Sequence, residues 1–363
     1  MRVLFAGGGT GGHINPALSI ADYLRKRNDD FEALFVGTKR GLETKLVPQA
    51  GYDIEYIDIC GFDRKNLLKN VPVAIKLVKS NIDCVKIIRD FRPDCVVLTG
   101  GYVSGPVAMA AKKCKVPCLI HEQNVYPGLT VTGSSKYVDY IAVSFDETVS
   151  HMKNNPKCVV TGNPVREEIL LSDKKKAREK LGISDDERFI LVFGGSLGSA
   201  MINNAMKGVI PHLKDTNIRL LFGTGERNYK EFMENMGDVP NNVTITPYIN
   251  NMHEVMAACD LAVTRAGAIT VSELSCLNKP AILIPSPNVV RNHQEQNATE
   301  FMEKGAAIML KETDLSGESL KEAIFSVIND DEKLNSMAEN MEFFAKRDAL
   351  LKIEELVLKM AEK

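Results

Sequence analysis

The side chains that could do chemistry in this sequence stand beside glycine. Gly7-Gly8-Gly9-Thr10-Gly11-Gly12-His13 follows the apolar run RVLFA and precedes INPALSIADYLRKR, which reads as a helix with Pro16 in its first turn. Glycines at such a place let the backbone approach a ligand, and a helix N-terminus offers unpaired N–H groups to an anion. Two further turns repeat the arrangement: Thr99-Gly100-Gly101-Tyr102-Val103-Ser104-Gly105-Pro106 and Gly194-Gly195-Ser196-Leu197-Gly198-Ser199. His13 closes the first turn, where the helix dipole favours the neutral imidazole, a form able to accept a proton. A bound diphosphate would oppose that effect. Gly7, Gly9 and Gly12 also satisfy the dinucleotide fingerprint, but the second strand ends in Val36-Gly37-Thr38-Lys39-Arg40, with no acid to hold a ribose.

Other polar groups gather at the ends of apolar runs. His121-Glu122-Gln123-Asn124 ends one run, and a structural hydrogen-bond network is as good a reading of His121 as a functional one. Glu273, in Thr264-Arg265-Ala266-Gly267-Ala268-Ile269-Thr270-Val271-Ser272-Glu273, could accept two hydrogen bonds from vicinal hydroxyls, as a ribose-reading carboxylate does. Asn292-His293-Gln294-Glu295-Gln296-Asn297 follows PAILIPS. The sequence has no DxD pair, no HExxH and no GxxxxGK[ST], so a metal on a bound diphosphate is not indicated and no cofactor is expected.

Elements must position these groups, and 363 residues suffice for about two domains with substantial cores. Hydrophobic residues at 44% and charged residues at 25% disfavour disorder. A net charge of -2 argues against a surface devoted to nucleic acid. No apolar stretch reaches the length of a membrane span, and the eight cysteines lack CxxC spacing, which predicts reduced core residues. RVLFAGG, EALFVG, DIEYIDI, DCVVLTGG, VPCLIHE, YIAVSF and CVVTG alternate with helical stretches. The pattern restarts with FILVFGG, RLLFGTG, VTITPYI, DLAVTRAG, PAILIPS and AAIML. Runs apolar throughout are strands covered on both faces. The expectation is therefore an α/β protein of two Rossmann-like, doubly wound parallel-sheet domains, with a deep cleft that the glycine turns face. The boundary is placed at the Gly162-Asn163-Pro164 turn, giving domains 1–163 and 164–340; residues 341–363 form a helical segment that could pack on either domain.

Taken together, GGGTGGH, TGGYVSGP, HEQNVYPGLT, TGNPVR, GGSLGS, TRAGAITVSE and NHQEQNA resemble the MurG family, over about the first 300 residues and in family order. Its members are UDP-N-acetylglucosamine:undecaprenyl-diphosphate-N-acetylmuramyl-pentapeptide N-acetylglucosaminyltransferases. The resemblance implies the GT-B type of fold and an inverting, metal-independent transfer from UDP-N-acetylglucosamine to a polyprenyl-diphosphate-linked acceptor. This step, lipid I to lipid II, belongs to peptidoglycan synthesis at the cytoplasmic face of the membrane. Alternatives are another GT-B lipid glycosyltransferase and a UDP-N-acetylglucosamine epimerase. One departure stands after Pro127-Gly128-Leu129-Thr130, where Val131-Thr132-Gly133-Ser134-Ser135 replaces the family's usual Asn, basic residue and apolar helix; Gly133 weakens a helix start there.

The resemblance also implies roles. His13 matches the family's proposed base. Thr10, Gly11 and Gly12 would line the donor sugar and phosphates, Asn124 would contact the N-acetylglucosamine, and Arg166 and Ser196 would hold the diphosphate. Ile249 would lie by the uracil. Ala268, Ile269, Thr270, Val271, Ser272 and Glu273 would bind uridine as a turn, with Glu273 on the ribose, and Gln294 would reach sugar hydroxyls. Gly100, Gly101, Tyr102 and Ser104 are the acceptor-side candidates. A lipid-linked acceptor must be met at an anionic membrane surface, and residues 62–92 carry eight basic against three acidic residues. Lys65, Leu67, Leu68, Lys69, Lys76 and Lys79 form the expected membrane patch, with a buried helix and solvated lysines as the competing reading.

Overall fold

In the structure, a computed structural model, residues 1–61, 71–195 and 197–362 are described. The chain divides into two compact units, Met1–Val165 with Lys346–Lys363, and Arg166–Ala345.

The first unit is built on a parallel sheet of seven strands: β1 (Arg2–Gly7), β2 (Glu32–Gly37), β3 (Asp53–Tyr56), β4 (Cys95–Gly100), β5 (Cys118–Glu122), β6 (Tyr140–Val143) and β7 (Cys158–Val160). Their order is β3-β2-β1-β4-β5-β6-β7. Because parallel strands need crossover connections, helices cover both faces and the central strands are mostly apolar, with polar groups such as Thr99, His121 and Glu122 toward their carboxyl ends. Every residue of β4 and β5 is accordingly buried. The second unit repeats the plan with β8 (Arg188–Phe193), β9 (Ile218–Gly223), β10 (Val243–Thr246), β11 (Leu261–Thr264), β12 (Ala281–Leu283) and β13 (Ala307–Met309), in the order β10-β9-β8-β11-β12-β13. All thirteen strands lie on the runs read from the sequence.

In each sheet the order reverses beside the first strand, between β1 and β4 and between β8 and β11. At such a switch point the two following connections leave on opposite faces, which opens a crevice at the carboxyl ends of the strands. The turns after β1 and β4 flank one crevice, and those after β8 and β11 flank the other.

Five helices of the first unit matter here: α1 (Gly11–Arg27), α2 (Glu43–Gln49), α3 (Val71–Phe91), α4 (Ser104–Cys114) and α5 (Leu129–Ser134). α1 begins at Gly11, so Pro16 lies in its second turn and not in the first as expected. The bond that Pro16 cannot donate is the one to the Gly12 carbonyl, and Gly12 is exposed, so water can replace it. α5 forms in spite of Gly133, around which there is open space. The last helix, Ala349–Ala361, belongs to the first unit. Leu350, Ile353, Val357 and Met360 recur at helical spacing and enter the same core as Ile14, Ala17, Ile20 and Leu24 of α1. None of the eight cysteines is joined in a disulfide.

Candidate functional site

In the first unit the turns after β1 and β4 interlock. Gly101 adopts φ +76°, and a Cβ there would come within 2.3 Å of the Gly8 carbonyl oxygen; one on Gly7 would meet Thr99 Oγ1 at 2.1 Å. Only glycine permits this approach. Thr99 then clamps His13 twice: its hydroxyl donates to the His13 carbonyl at 2.6 Å, and its own carbonyl lies 3.0 Å from His13 Nδ1. Gly100, at φ +102°, leaves room for the ring, since a Cβ there would lie 2.8 Å from Nδ1. Burial lowers the pKa of His13 below the ordinary histidine value, against smaller raising effects of Gln123 and Thr99. His13 is therefore a neutral imidazole near neutral pH, at the N-terminus of α1. Thr10 and Gly12 beside it are exposed and Gly11 half-buried.

Two carboxylates brace the turn after β1 and the loop after β5. Glu43, fully buried, accepts from Gly9 N at 3.1 Å, Thr38 N at 2.9 Å and Thr38 Oγ1 at 2.8 Å. This is the acid next to the end of the second strand, and it is spent on the back of the glycine turn. Glu122 accepts from Asn124 N at 3.0 Å and Asn124 Nδ2 at 3.1 Å through one oxygen, and from Gly128 N at 2.7 Å through the other. That orients the Asn124 amide and fixes the loop leading into α5, just ahead of the stretch where the sequence departs from the family pattern.

Among the acceptor-side candidates, Tyr102 is half-buried, with its ring against Gly9, and Gly100 and Gly101 shape the turn. Ser104 requires a correction. It is fully buried, and its hydroxyl donates to the carbonyls of Ala6 and Gly100 at 3.1 and 2.8 Å and accepts from Gly100 N at 3.1 Å. It ties β1 to the turn after β4 and does not face a ligand.

The second unit repeats the interlocking. Gly198 (φ +73°) lies so close to β9 that a Cβ would be 2.1 Å from the Thr224 carbonyl oxygen. Ser199 caps the helix Ala200–Val209 by accepting from Ile202 N. Arg265, overlooked in the sequence, donates to Ser199 Oγ at 2.7 Å and to the Ile284 carbonyl at 3.0 Å, and pairs with Glu312. It ties the start of the helix after β8 to the ends of β11 and β12; the available signal was an arginine placed directly after the strand Leu-Ala-Val-Thr.

Residues 268–273, expected as a turn, are instead the first two turns of a helix, Ala268–Cys276. The turn proper is Arg265-Ala266-Gly267, held by Asn297 Nδ2 donating to the Ala266 carbonyl at 3.1 Å. Ala268, Val271, Ser272 and Glu273 are buried, whereas Ile269 and Thr270 are partly accessible. Glu273 Oε1 lies 3.2 Å from Arg166 Nη2, so the two residues expected on ribose and diphosphate pair with each other. Burial pushes the Glu273 carboxyl above its usual pKa, and the guanidinium opposes that shift. Ile249 is buried against Gly223, and Gln294 Oε1 accepts from Ser286 N at 2.9 Å. Ser196 lies outside the described residues.

α3 carries an apolar stripe turned to solvent: Ile75, Val78 and Ile82 are 67%, 64% and 62% exposed. Their spacing puts them on one face, and Lys79 and Lys86 are exposed on the same helix. Lys76 is not among the unpaired lysines; its Nζ lies 2.9 Å from Asp58 Oδ1. Lys65, Leu67, Leu68 and Lys69 lie outside the described residues. No helix among the described residues is long and apolar enough to cross a membrane.

Comparison with known proteins places this geometry. The glycosyltransferase family 28 N-terminal domain matches residues 3–143, and the C-terminal domain of the same family matches residues 189–353. The chain belongs to glycosyltransferase family 28. A relative from Acetivibrio thermocellus is 44% identical over 359 residues, 98% of this chain and 97% of its own length. One from Clostridioides difficile is 42% identical over 99% of this chain and 89% of its own length. Both are named UDP-N-acetylglucosamine--N-acetylmuramyl-(pentapeptide) pyrophosphoryl-undecaprenol N-acetylglucosamine transferase. The crystal structure of Acinetobacter baumannii MurG superposes with a TM-score of 0.79 at 27% identity, covering 99% of each chain. The two sheets are thus those of the GT-B fold. A UDP-N-acetylglucosamine 2-epimerase from Neisseria meningitidis, with a TM-score of 0.68 at 16% identity over 99% of this chain and all of its own, shares the fold alone.

Proposed function

We propose that this chain transfers N-acetylglucosamine, with inversion, from UDP-N-acetylglucosamine to the C4 hydroxyl of undecaprenyl-diphosphate-N-acetylmuramyl-pentapeptide, the lipid I to lipid II step of peptidoglycan synthesis. The observation that carries the reading is the full-length match, at 42–44% identity, to transferases named for that donor and acceptor. The geometry around His13 supplies the chemistry. The acceptor's C4 oxygen attacks the anomeric carbon opposite UDP, and the bond from that carbon to the diphosphate breaks, with UDP taking the electron pair. The hydroxyl proton passes to His13, which burial keeps neutral and therefore basic. Negative charge grows on the departing diphosphate, and Arg166, Ser196 and the N–H groups at helix starts are the groups suited to hold it.

Uridine recognition falls to the second unit. Glu273 exchanges the Arg166 guanidinium for two ribose hydroxyls, which frees Arg166 for the diphosphate; Ile249 and the helix from Ala268 to Ser272 flank the base, and Gln294 serves the sugar. Thr10, Gly11, Gly12 and Asn124 serve the transferred sugar from the first unit, with Gly100, Gly101 and Tyr102 toward the acceptor. The lipid-linked acceptor is met at an anionic membrane surface on the cytoplasmic side, where Ile75, Val78 and Ile82 enter the headgroup region and Lys79 and Lys86 meet lipid charge. The linkage formed tests the assignment: the product isolated from donor and lipid-linked acceptor should carry the new sugar on C4 in the β configuration, read by NMR. An α linkage, or sugar released without transfer, would overturn it.

A further inference from the structure

The ring of His13 is held by a chain of groups that the resemblance leaves without a role. Its Nδ1 lies 3.0 Å from the Thr99 carbonyl oxygen and 3.3 Å from Gln123 Oε1, and no hydrogen bond to Nε2 occurs among the described residues. The orientation of the Gln123 amide is decided by its other end. Nε2 of Gln123 sits 2.9 Å from the Thr99 carbonyl oxygen, 3.2 Å from the His121 carbonyl oxygen and 3.1 Å from His121 Nδ1. Turned over, the amide would set its oxygen against two carbonyl oxygens. Oε1 must therefore face His13, and both neighbours of His13 Nδ1 can only accept. The hydrogen is on Nδ1, and Nε2 carries the open lone pair.

His121 is fixed in the opposite form. Its Nε2 lies 2.9 Å from the Gly162 carbonyl oxygen and must donate, which leaves Nδ1 to accept from Gln123. Asn163 Nδ2 donates to the Gln123 carbonyl at 3.0 Å and holds that backbone in place. We propose that Gln123, backed by His121, is a positioning residue for sugar transfer: it keeps the proton of His13 on Nδ1 and so makes Nε2 the nitrogen that takes the acceptor's hydroxyl proton. In the step the O–H bond of the acceptor breaks and an Nε2–H bond forms. The Nδ1–H stays in place, and the new positive charge is shared with the Thr99 carbonyl and Gln123 Oε1. The inference rests on His13 being the base, but its test reads the ring directly.

The titratable groups around His13 are His121 behind Gln123, Glu43 with its carboxylate on Gly9 N, and Tyr102 with its ring against Gly9. None of them hydrogen-bonds to the ring. NMR of protein labelled with ¹⁵N in its histidines, with His13 assigned by its loss in His13→Ala, should show hydrogen on Nδ1 of His13 and on Nε2 of His121. Titration then separates positioning from mere packing. Gln123→Leu removes an acceptor from the imidazolium, so the pKa of His13 should fall. Gln123→Glu puts a carboxylate there, so it should rise. In Gln123→Leu, kcat should drop about 10- to 100-fold, the range for one hydrogen bond to a charged group, with UDP affinity unchanged. Hydrogen on Nε2 of His13, or shifts of the same sign in both variants, would overturn the proposal. Normal turnover in His13→Ala would instead sink the base, and the NMR result would still decide where the proton sits.

Discussion

The chemistry assigned to His13 depends on a neutral ring that gains charge only during transfer. Its folded pKa lies below the ordinary value of 6.5, so the active neutral form persists to lower pH than for an exposed histidine. Because kcat/KM reports the free enzyme, it should decline on the acid side with a midpoint below 6.5. His13→Ala should lower kcat by roughly a hundred- to ten-thousand-fold while UDP titration by calorimetry stays near wild type; a variant with near-normal turnover would take His13 out of the mechanism. In the second unit, Glu273→Ala should weaken UDP binding by about 1.5–3 kcal/mol, the range for hydrogen bonds to a charged group. An unchanged calorimetric Kd would confine Glu273 to pairing with Arg166. The types and places of these residues were legible in the sequence, because each follows an apolar run. Their mutual arrangement was not: the reach of Glu43 to Gly9 across 34 positions, or of Arg265 to Ser199 across 66, is created by strand order and leaves no local trace.

At the level of elements, the glycine turns are interlocking parts as well as ligand loops. Gly101→Ala should destabilise the first unit by at least ~1 kcal/mol from its left-handed backbone alone, and by more through the contact with the Gly8 carbonyl. Gly105→Ala, in the first turn of α4 with open space around it, should be neutral or stabilising by up to ~1 kcal/mol. Urea unfolding of the two variants makes the comparison, and equal losses would refute the interlocking. The strands were readable because parallel strands buried on both faces are continuously apolar. Residues 268–273 were misread as a turn because Ala-Ile-Thr-Val, with three β-branched residues, hides the helix start that Gly267 provides. α3 shows the same limit from another side: Ile75, Val78 and Ile82 have the spacing of a core face, and only the structure puts them in solvent. Replacing all three with Ser should weaken sedimentation with anionic liposomes by on the order of tenfold or more, given about 1.5–3 kcal/mol per buried apolar side chain, and should leave turnover on a soluble short-chain acceptor intact. Undiminished sedimentation would move the lipid contact elsewhere.

For the whole molecule, the sequence supplied two doubly wound units because the β-strand pattern starts twice. It left open where the last segment goes, since an amphipathic helix such as Ala349–Ala361 fits any apolar face of the right width. The structure gives that face to α1, so the first unit is completed by the last residues of the chain. Metal-independent transfer of the donor sugar to a lipid-linked acceptor is the central claim. The most direct test measures UDP release with donor and acceptor varied independently. UDP-N-acetylglucosamine alone should give only slow hydrolysis. Addition of the lipid-linked muramyl-pentapeptide acceptor should start rapid release, one UDP per sugar transferred, in the presence of EDTA as well as in its absence. UDP release at the same rate without acceptor, or a lipid-linked acceptor that leaves the rate unchanged, would contradict the account.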